Sequence, residues 1–313
     1  MTGYIIRRVL ATLPVLLVVA LVVFALIRFA PGDPAAIIAG QEATQEEVEG
    51  IRRQLGLDRP LPVQLGIWFR DILRGDLGQS ILSKHEVSEL IVQRVVPTLS
   101  LAVLTEIFAL AVAIPIGVLA AWKANSWIDR VVMVFATLGF SIPVFWLGFI
   151  LIFFFAVKIP LFPAAGYVAP SEDMISYLHR LALPALATGV IIMALIARMT
   201  RATVLETLNE DYVRTARSKG LSENLVLIRH ALRNAALPII TVVGLGVAAL
   251  LSGLVVTESV FGIPGLGRLL LNAIVSRDYP IIQGTILIIS VVYVIINLLV
   301  DISYAFFDPR VRY

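Results

Sequence analysis

Apolar residues in this chain come in long blocks, and charge is confined to the gaps between them. Val9–Ile27 carries no charge between Arg8 and Arg28. Val95–Trp122 is interrupted only by Glu106, and Val131–Val157 is uncharged. Leu181–Ala197 is short, so its helix is expected to run past Arg180 or Arg198. Asn234–Thr257 stops at Glu258, and Tyr279–Val300 stops at Asp301. Crossing ~30 Å of hydrocarbon takes about 20 mostly apolar residues. The pattern therefore predicts six transmembrane helices. The two longest blocks leave room for tilt or interfacial turns, and Pro115, Pro143 and Pro184 mark expected kinks.

Six spans place both termini on one side. The short loops on that side, with the tails, hold 13 lysines and arginines, against 4 in the opposite short loops. By the positive-inside rule, both termini and the 198–233 loop are cytoplasmic. Arg7 and Arg8 before an apolar run resemble a signal peptide. The run is longer than a usual signal core and lacks a clear small-x-small site, so an uncleaved span is expected.

The 31–95 segment is the longest piece outside the spans. Ten acids and seven bases give it a charge of −3, and it is expected to face outward. Thr44 and Glu47 form a capping-box pattern. Val48, Ile51 and Leu55 then repeat at helical spacing. Asp58-Arg59-Pro60 and Pro62 end that helix, Gln64–Leu73 reads as a second, and Arg74-Gly75-Asp76-Leu77-Gly78 as a tight turn. The chain thus divides into residues 1–30 (tail and first span), 31–95 (a helical extracytoplasmic subdomain) and 96–313 (a five-helix core carrying an inner loop over 198–236).

Composition sharpens the class. Of 313 residues, 59% are hydrophobic and 15% charged, where a soluble domain has about 45–50% and about 25%. Mean hydropathy is +0.92. Too little polar residue remains to cover a water-facing surface, which excludes a simple soluble enzyme and a disordered chain. With no cysteine and only His85, His179 and His230, no metal or thiol chemistry is expected. The net charge of +3 reads as inner-loop charge, and no nucleic-acid partner is expected.

The inner loop is the most informative stretch. Asp211 or Asn209 can cap a short helix, and Gly220 stops it as a C′ glycine. Ser222 can cap a second, with Glu223 in its first turn. Leu237-Pro238 is expected to open the fifth span, where proline is tolerated. Tyr212, Ala216 and the Gly220 turn offer a compact knob with small residues at its tip, placed to pass force from a docked partner to two spans.

Tyr212-Val213-Arg214-Thr215-Ala216-Arg217-Ser218-Lys219-Gly220-Leu221 and Arg229-His230-Ala231-Leu232-Arg233-Asn234 resemble the signature loop of permease subunits of ABC importers. Further matches carry the resemblance along nearly the whole chain. They are Arg7-Arg8, Phe29-Ala-Pro31-Gly32-Asp33-Pro34, Gly56-Leu57-Asp58, Arg74-Gly75-Asp76-Leu77-Gly78-Gln79-Ser80, Pro97-Thr98-Leu99, Glu258-Ser-Val-Phe261 with Pro264-Gly265-Leu266-Gly267, and Asp308-Pro309-Arg310-Val311-Arg312-Tyr313. The pattern is similar to the dipeptide/oligopeptide/nickel permeases, of the first-permease type. The general importer loop begins Glu-Ala-Ala; here the triplet is Arg214-Thr215-Ala216 and Leu237-Pro238 comes later, which fits the peptide branch.

The resemblance implies an all-α, type I importer permease in a bacterial or archaeal inner membrane. It implies a second permease, two cytoplasmic ATPases, an outer solute-binding protein and the lipid bilayer as partners. ATP and magnesium belong to the ATPases, so no cofactor and no catalytic site are expected here. Its ATPase-coupling residues would be Tyr212, Arg214, Thr215, Ala216, Lys219, Gly220 and Leu221. Transport would proceed by alternating access. A stand-alone ion-coupled transporter is the rival reading; it would need a repeat with its own ion site.

Two motifs are look-alikes. Gly262–Leu269 imitates a phosphate loop without the required Lys-Ser/Thr pair, and reads as a glycine-rich turn packing over the fifth span. Gly244-x-Gly246 lies within a span, where small residues let helices approach closely. Glu106, near mid-span, would cost at least ~2.5–3.5 kcal/mol charged in lipid, so it should face the bundle, be protonated or pair. With Glu258 it forms the candidate set of pathway or bundle-polar carboxylates.

Overall fold

The computed structural model describes residues 2–29, 33–40, 43–54 and 56–307. Leu55, the Ala30-Pro31-Gly32 run and the terminal 308–313 motif, with Arg310 and Arg312, lie outside the described residues. In chain order the helices are α1 (Thr2–Phe29), α2 (Pro34–Ala39), α3 (Gln45–Gln54), α4 (Leu61–Leu73), α5 (Val87–Trp122), α6 (Trp127–Ser141), α7 (Val144–Ile152), α8 (Met174–Leu208), α9 (Asp211–Ser218), α10 (Glu223–Leu225), α11 (Arg233–Val260), α12 (Leu266–Ser276) and α13 (Tyr279–Phe307). π-helical turns continue α7 over Phe153–Lys158 and join α10 to α11 over Val226–Leu232. Among the described residues there is no strand.

Five helices are long and apolar enough to cross a bilayer: those of spans one, two, four, five and six. The third block is a pair, α6 and α7 with its π turn, bent by 102° at Ile142-Pro143. Counted as one span, it makes six. The expected kink at Pro143 is a break, because proline has no N–H for the preceding turn and starts α7 instead. Pro115 and Pro184 stay inside unbroken helices. The short fourth block runs on at both ends, past Arg180 and Arg198, to become α8.

Packing divides the chain into two compact units. One takes residues 1–9, 96–268 and 293–313. Its centre is α8, which packs against α6, α7 and α11. Small and branched residues carry these contacts: Leu101, Ala109, Ala113, Ala187, Ile192, Ile196, Leu250 and Leu254 are buried together. On α5, Thr98, Leu101, Thr105, Ala109, Ala113 and Gly117 recur every three or four residues as its buried stripe, while Val103 and Ile107 are exposed on the other side. That one-sided stripe is the helical period at work. Gly244 meets its expectation: a Cβ there would lie 2.7 Å from Cγ1 of Val300. Arg8 pairs with Asp301.

Asp129 and Arg201 form a bidentate ion pair at 2.5 and 2.7 Å between α6 and α8. The Asp129 carboxylate is itself buried, and the Asn125 N–H also donates to it at 2.9 Å.

The other unit takes residues 10–95 and 269–292. The helices of the 31–95 segment thus pack with part of α1 and the start of α13. Phe24 and Trp68 stand 5.5 Å apart, and Gln283 Nε2 donates to the Val23 carbonyl at 3.1 Å. The capping box forms as expected: the Thr44 N–H donates to Glu47 Oε2 at 2.8 Å, and the Glu47 N–H donates to Thr44 Oγ1 at 3.4 Å. The Thr44 N–H and the Thr44 hydroxyl, which donates to the same oxygen at 3.0 Å, hold the Glu47 carboxyl below its ordinary value. The 74–78 turn also forms, with Gly75 and Gly78 both at φ +82. Helix α2 was not expected; Asp33 caps it by accepting from the Ala35 N–H at 3.0 Å, ahead of Pro34 at N1.

Candidate functional site

The inner loop builds a seated ledge. Helix α9 is amphipathic, and Val213 and Ala216 form its buried face. They pack with Val204 and Leu208 of α8, Val226, Leu227 and Ala231 of the π turn, and Ala235 and Ile239 of α11. Three apolar elements thus enclose one short helix, which could not hold its shape alone.

Its end is a Schellman motif. The Leu221 N–H bonds to the Ala216 carbonyl at 3.3 Å, and the Gly220 N–H to the Arg217 carbonyl at 2.9 Å. Gly220 sits at φ +79, which glycine adopts without a Cβ clash. Arg217 then grips Glu223 across the turn, bidentate at 2.9 and 3.2 Å. Tyr212 ties the start of α9 to α11: its hydroxyl accepts from Asn234 Nδ2 at 2.8 Å.

The predicted coupling residues divide by this geometry. Arg214, Thr215, Lys219 and Gly220 are exposed, and Tyr212 is 41% exposed. Leu221 is half-buried against the loop's core. Ala216, expected at the tip of the knob, instead points inward at 7% exposure. Three positions after Val213, it falls on the same buried face, which is the helical period again. Two capping expectations also change. Asn209 is the C-cap of α8, and Glu210 precedes α9 without a side-chain cap bond. Ser222 takes the N-cap backbone position of α10 but makes no side-chain cap bond. Leu237-Pro238 does not open the fifth span: the helix begins upstream, and Pro238 lies inside α11.

Glu258 occupies a second built site, at the far end of α11. It is fully buried. Its Oε1 accepts from the Thr98 hydroxyl at 2.6 Å, and its Oε2 from the Arg268 N–H at 2.9 Å. Thr98 Oγ1 in turn accepts from the Leu266 N–H at 2.8 Å. Two orphan amides in the first turn of α12 are thereby satisfied, and the carboxylate lies at the positive end of the helix dipole. A Cβ on Gly265 would overlap the Glu258 carboxylate, and one on Gly267 would reach the Val255 backbone. The glycine-rich turn therefore packs over the end of the fifth span, as read. In the sequence Thr98 stands out only within the Pro97-Thr98-Leu99 motif; no local signal links positions 160 residues apart.

Glu106 differs. Both its carboxyl oxygens are buried and, among the described residues, neither has a hydrogen-bond partner. It lies between the buried stripe of α5 and the exposed Val103 and Ile107.

A bundle of helices long and apolar enough to cross a bilayer, with a braced ledge on one loop, defines a multi-pass membrane protein. The family described as binding-protein-dependent transport system inner membrane component matches residues 113–313. The N-terminal family of such membrane components matches residues 1–102. The chain is 47% identical over 310 residues to a probable peptide ABC transporter permease protein of Sinorhizobium fredii, covering 99% of each. It is 47% identical to a putative peptide transport system permease protein of Brucella abortus over the whole of both chains. A glutathione transport system permease protein of Salmonella typhi is 43% identical, again over all of both. The chain belongs to the binding-protein-dependent transport system inner membrane components. It is the multi-pass permease subunit of an ABC importer, not its ATPase.

Proposed function

We propose that this chain and a second permease form the path for a short peptide or peptide-like solute across a bacterial or archaeal inner membrane. An extracytoplasmic binding protein delivers the solute. Two cytoplasmic ATPases, holding ATP and magnesium, engage the 198–236 loop through Tyr212, Arg214, Thr215, Lys219 and Gly220. Closure of the ATPases moves α9, and the spans on either side of it move with it in alternating access. The observation that carries this reading is the braced α9 ledge in a chain that matches peptide permeases end to end. Helix α9 packs on α8 and on the π turn that continues into α11, so a push on it reaches both.

Reconstitution with the neighbouring operon's subunits tests the proposal. Labelled dipeptide or tripeptide should accumulate in vesicles only with ATP and the binding protein. Accumulation by this chain alone under a proton or sodium gradient would replace this reading with an ion-coupled transporter.

A further inference from the structure

Within the unit formed by residues 10–95 and 269–292 lies a cavity of about 980 Å³. It is at the upper end of small-molecule pockets, about 300–1,000 Å³. Its wall carries two cations, Arg28 and Lys84, three carboxylate residues, Glu47, Asp71 and Asp76, and the apolar Ile51 and Trp68.

Arg28 is held in place by neutral groups. Its guanidinium lies 3.5 Å from the Phe24 ring centroid, and Phe24 packs on Trp68. Nε donates to Gln64 Oε1 at 3.2 Å, and Nη1 to the Phe24 carbonyl at 3.1 Å. Gln64 is buried, and its own amide is fixed by the Leu57 and Arg59 carbonyls at 3.2 and 2.8 Å. Among the described residues no carboxylate pairs with Arg28. An oriented guanidinium without a counter-ion is a ready partner for a planar carboxylate.

We infer that this cavity is a binding site for a small zwitterionic solute, with Arg28 receiving the solute's carboxylate and Asp76 or Glu47 its ammonium group. Ile51 and Trp68 offer apolar contact to its side chains. The inference rests on the peptide reading above and adds to it a holding site in the permease itself. By the charge count this segment faces outward, so the site would be met before the membrane is crossed.

The test uses the whole importer reconstituted in phosphatidylcholine vesicles. The probe is the dipeptide alanyl-p-benzoylphenylalanine with free termini, alongside its C-terminal amide. Photolabel is expected within residues 45–84 or 279–283, competed by dialanine, with the amide labelling about tenfold less. Arg28→Gln should lower labelling about tenfold, Arg28→Lys should restore part of it, and Arg53→Gln, outside the cavity wall, should leave it unchanged. If the importer takes up peptide but labels elsewhere, or labels equally in Arg28→Gln, the site is wrong and the peptide reading stands. Competition by phosphatidylglycerol but not by dialanine would make it a lipid headgroup site and overturn the inference. No peptide uptake by the wild type would remove the peptide reading and this site with it.

Discussion

Thr98 and Glu258, 160 residues apart, share one short hydrogen bond of 2.6 Å. The same threonine oxygen accepts from the Leu266 N–H. One hydroxyl therefore serves a carboxylate and a helix terminus together. Thr98→Val removes both bonds while keeping shape, and strands buried groups. A loss of about 1–3 kcal/mol is expected, read as a fall in thermal midpoint of the purified permease. Thr98→Ser should recover most of it. An unchanged midpoint in Thr98→Val would show that the bond carries no stability.

Gly267→Ala should be worse than Thr98→Val. Its Cβ would lie 2.5 Å from Cα of Val255, and backbone cannot swing aside as a flexible side chain can. Separation of α12 from the end of α11 is the expected outcome. Faster limited proteolysis over residues 261–268 would report it, and wild-type protease resistance would refute it.

The inner loop gives two variants with opposite signatures. Lys219→Glu changes an exposed residue, so folding should persist while ATP-driven uptake and co-purification of the ATPases fall at least about tenfold. Ala216→Leu forces a larger side chain into the buried core of the ledge, which should cost about 1–3 kcal/mol through overpacking. Thermal midpoint and uptake, measured on both, separate the roles. Equal stability loss in the two would contradict the burial difference.

Acid should loosen α3. The folded Glu47 carboxyl titrates below its unfolded value because Thr44 donates to its charged form. That contribution is fully present above the unfolded carboxylate pKa and disappears as pH falls through the lower folded value. Amide exchange over residues 45–54, corrected for intrinsic rates, should rise in that window. Glu47→Gln should show raised exchange with the step gone.

Much of this fold is legible in the sequence because charge is costly in hydrocarbon. The gaps between Arg8 and Arg28, or before Glu258 and Asp301, mark span ends without any knowledge of packing. The Thr44–Glu47 box and the Gly220 stop are equally legible, since both are local. Helix α12 was hidden because it is short, amphipathic and directly follows a Pro-Gly pair that reads as a turn. The sequence predicts a kink at Pro143 and not its 102° break, since composition fixes length and not angle. The Asp129–Arg201 pair and the Thr98–Glu258 bond escape notice because nothing near either residue points to its distant partner. A small residue such as Ala216 suits a tip and a tight contact alike; only its spacing from Val213 tells them apart.

The helical run from Glu223 to Val260 passes through a π turn without a loop. Its contour is on the order of 50 Å. The ledge bears on one end of that rod and the Glu258 anchor grips the other. On the proposed coupling, a stroke at the inner end would run along one continuous helix, whose bending points are its π turn and Pro238, and would reach the α12 anchorage as displacement. Importer variants with a slack anchorage should then still burn ATP, with the fuel spent on idle strokes.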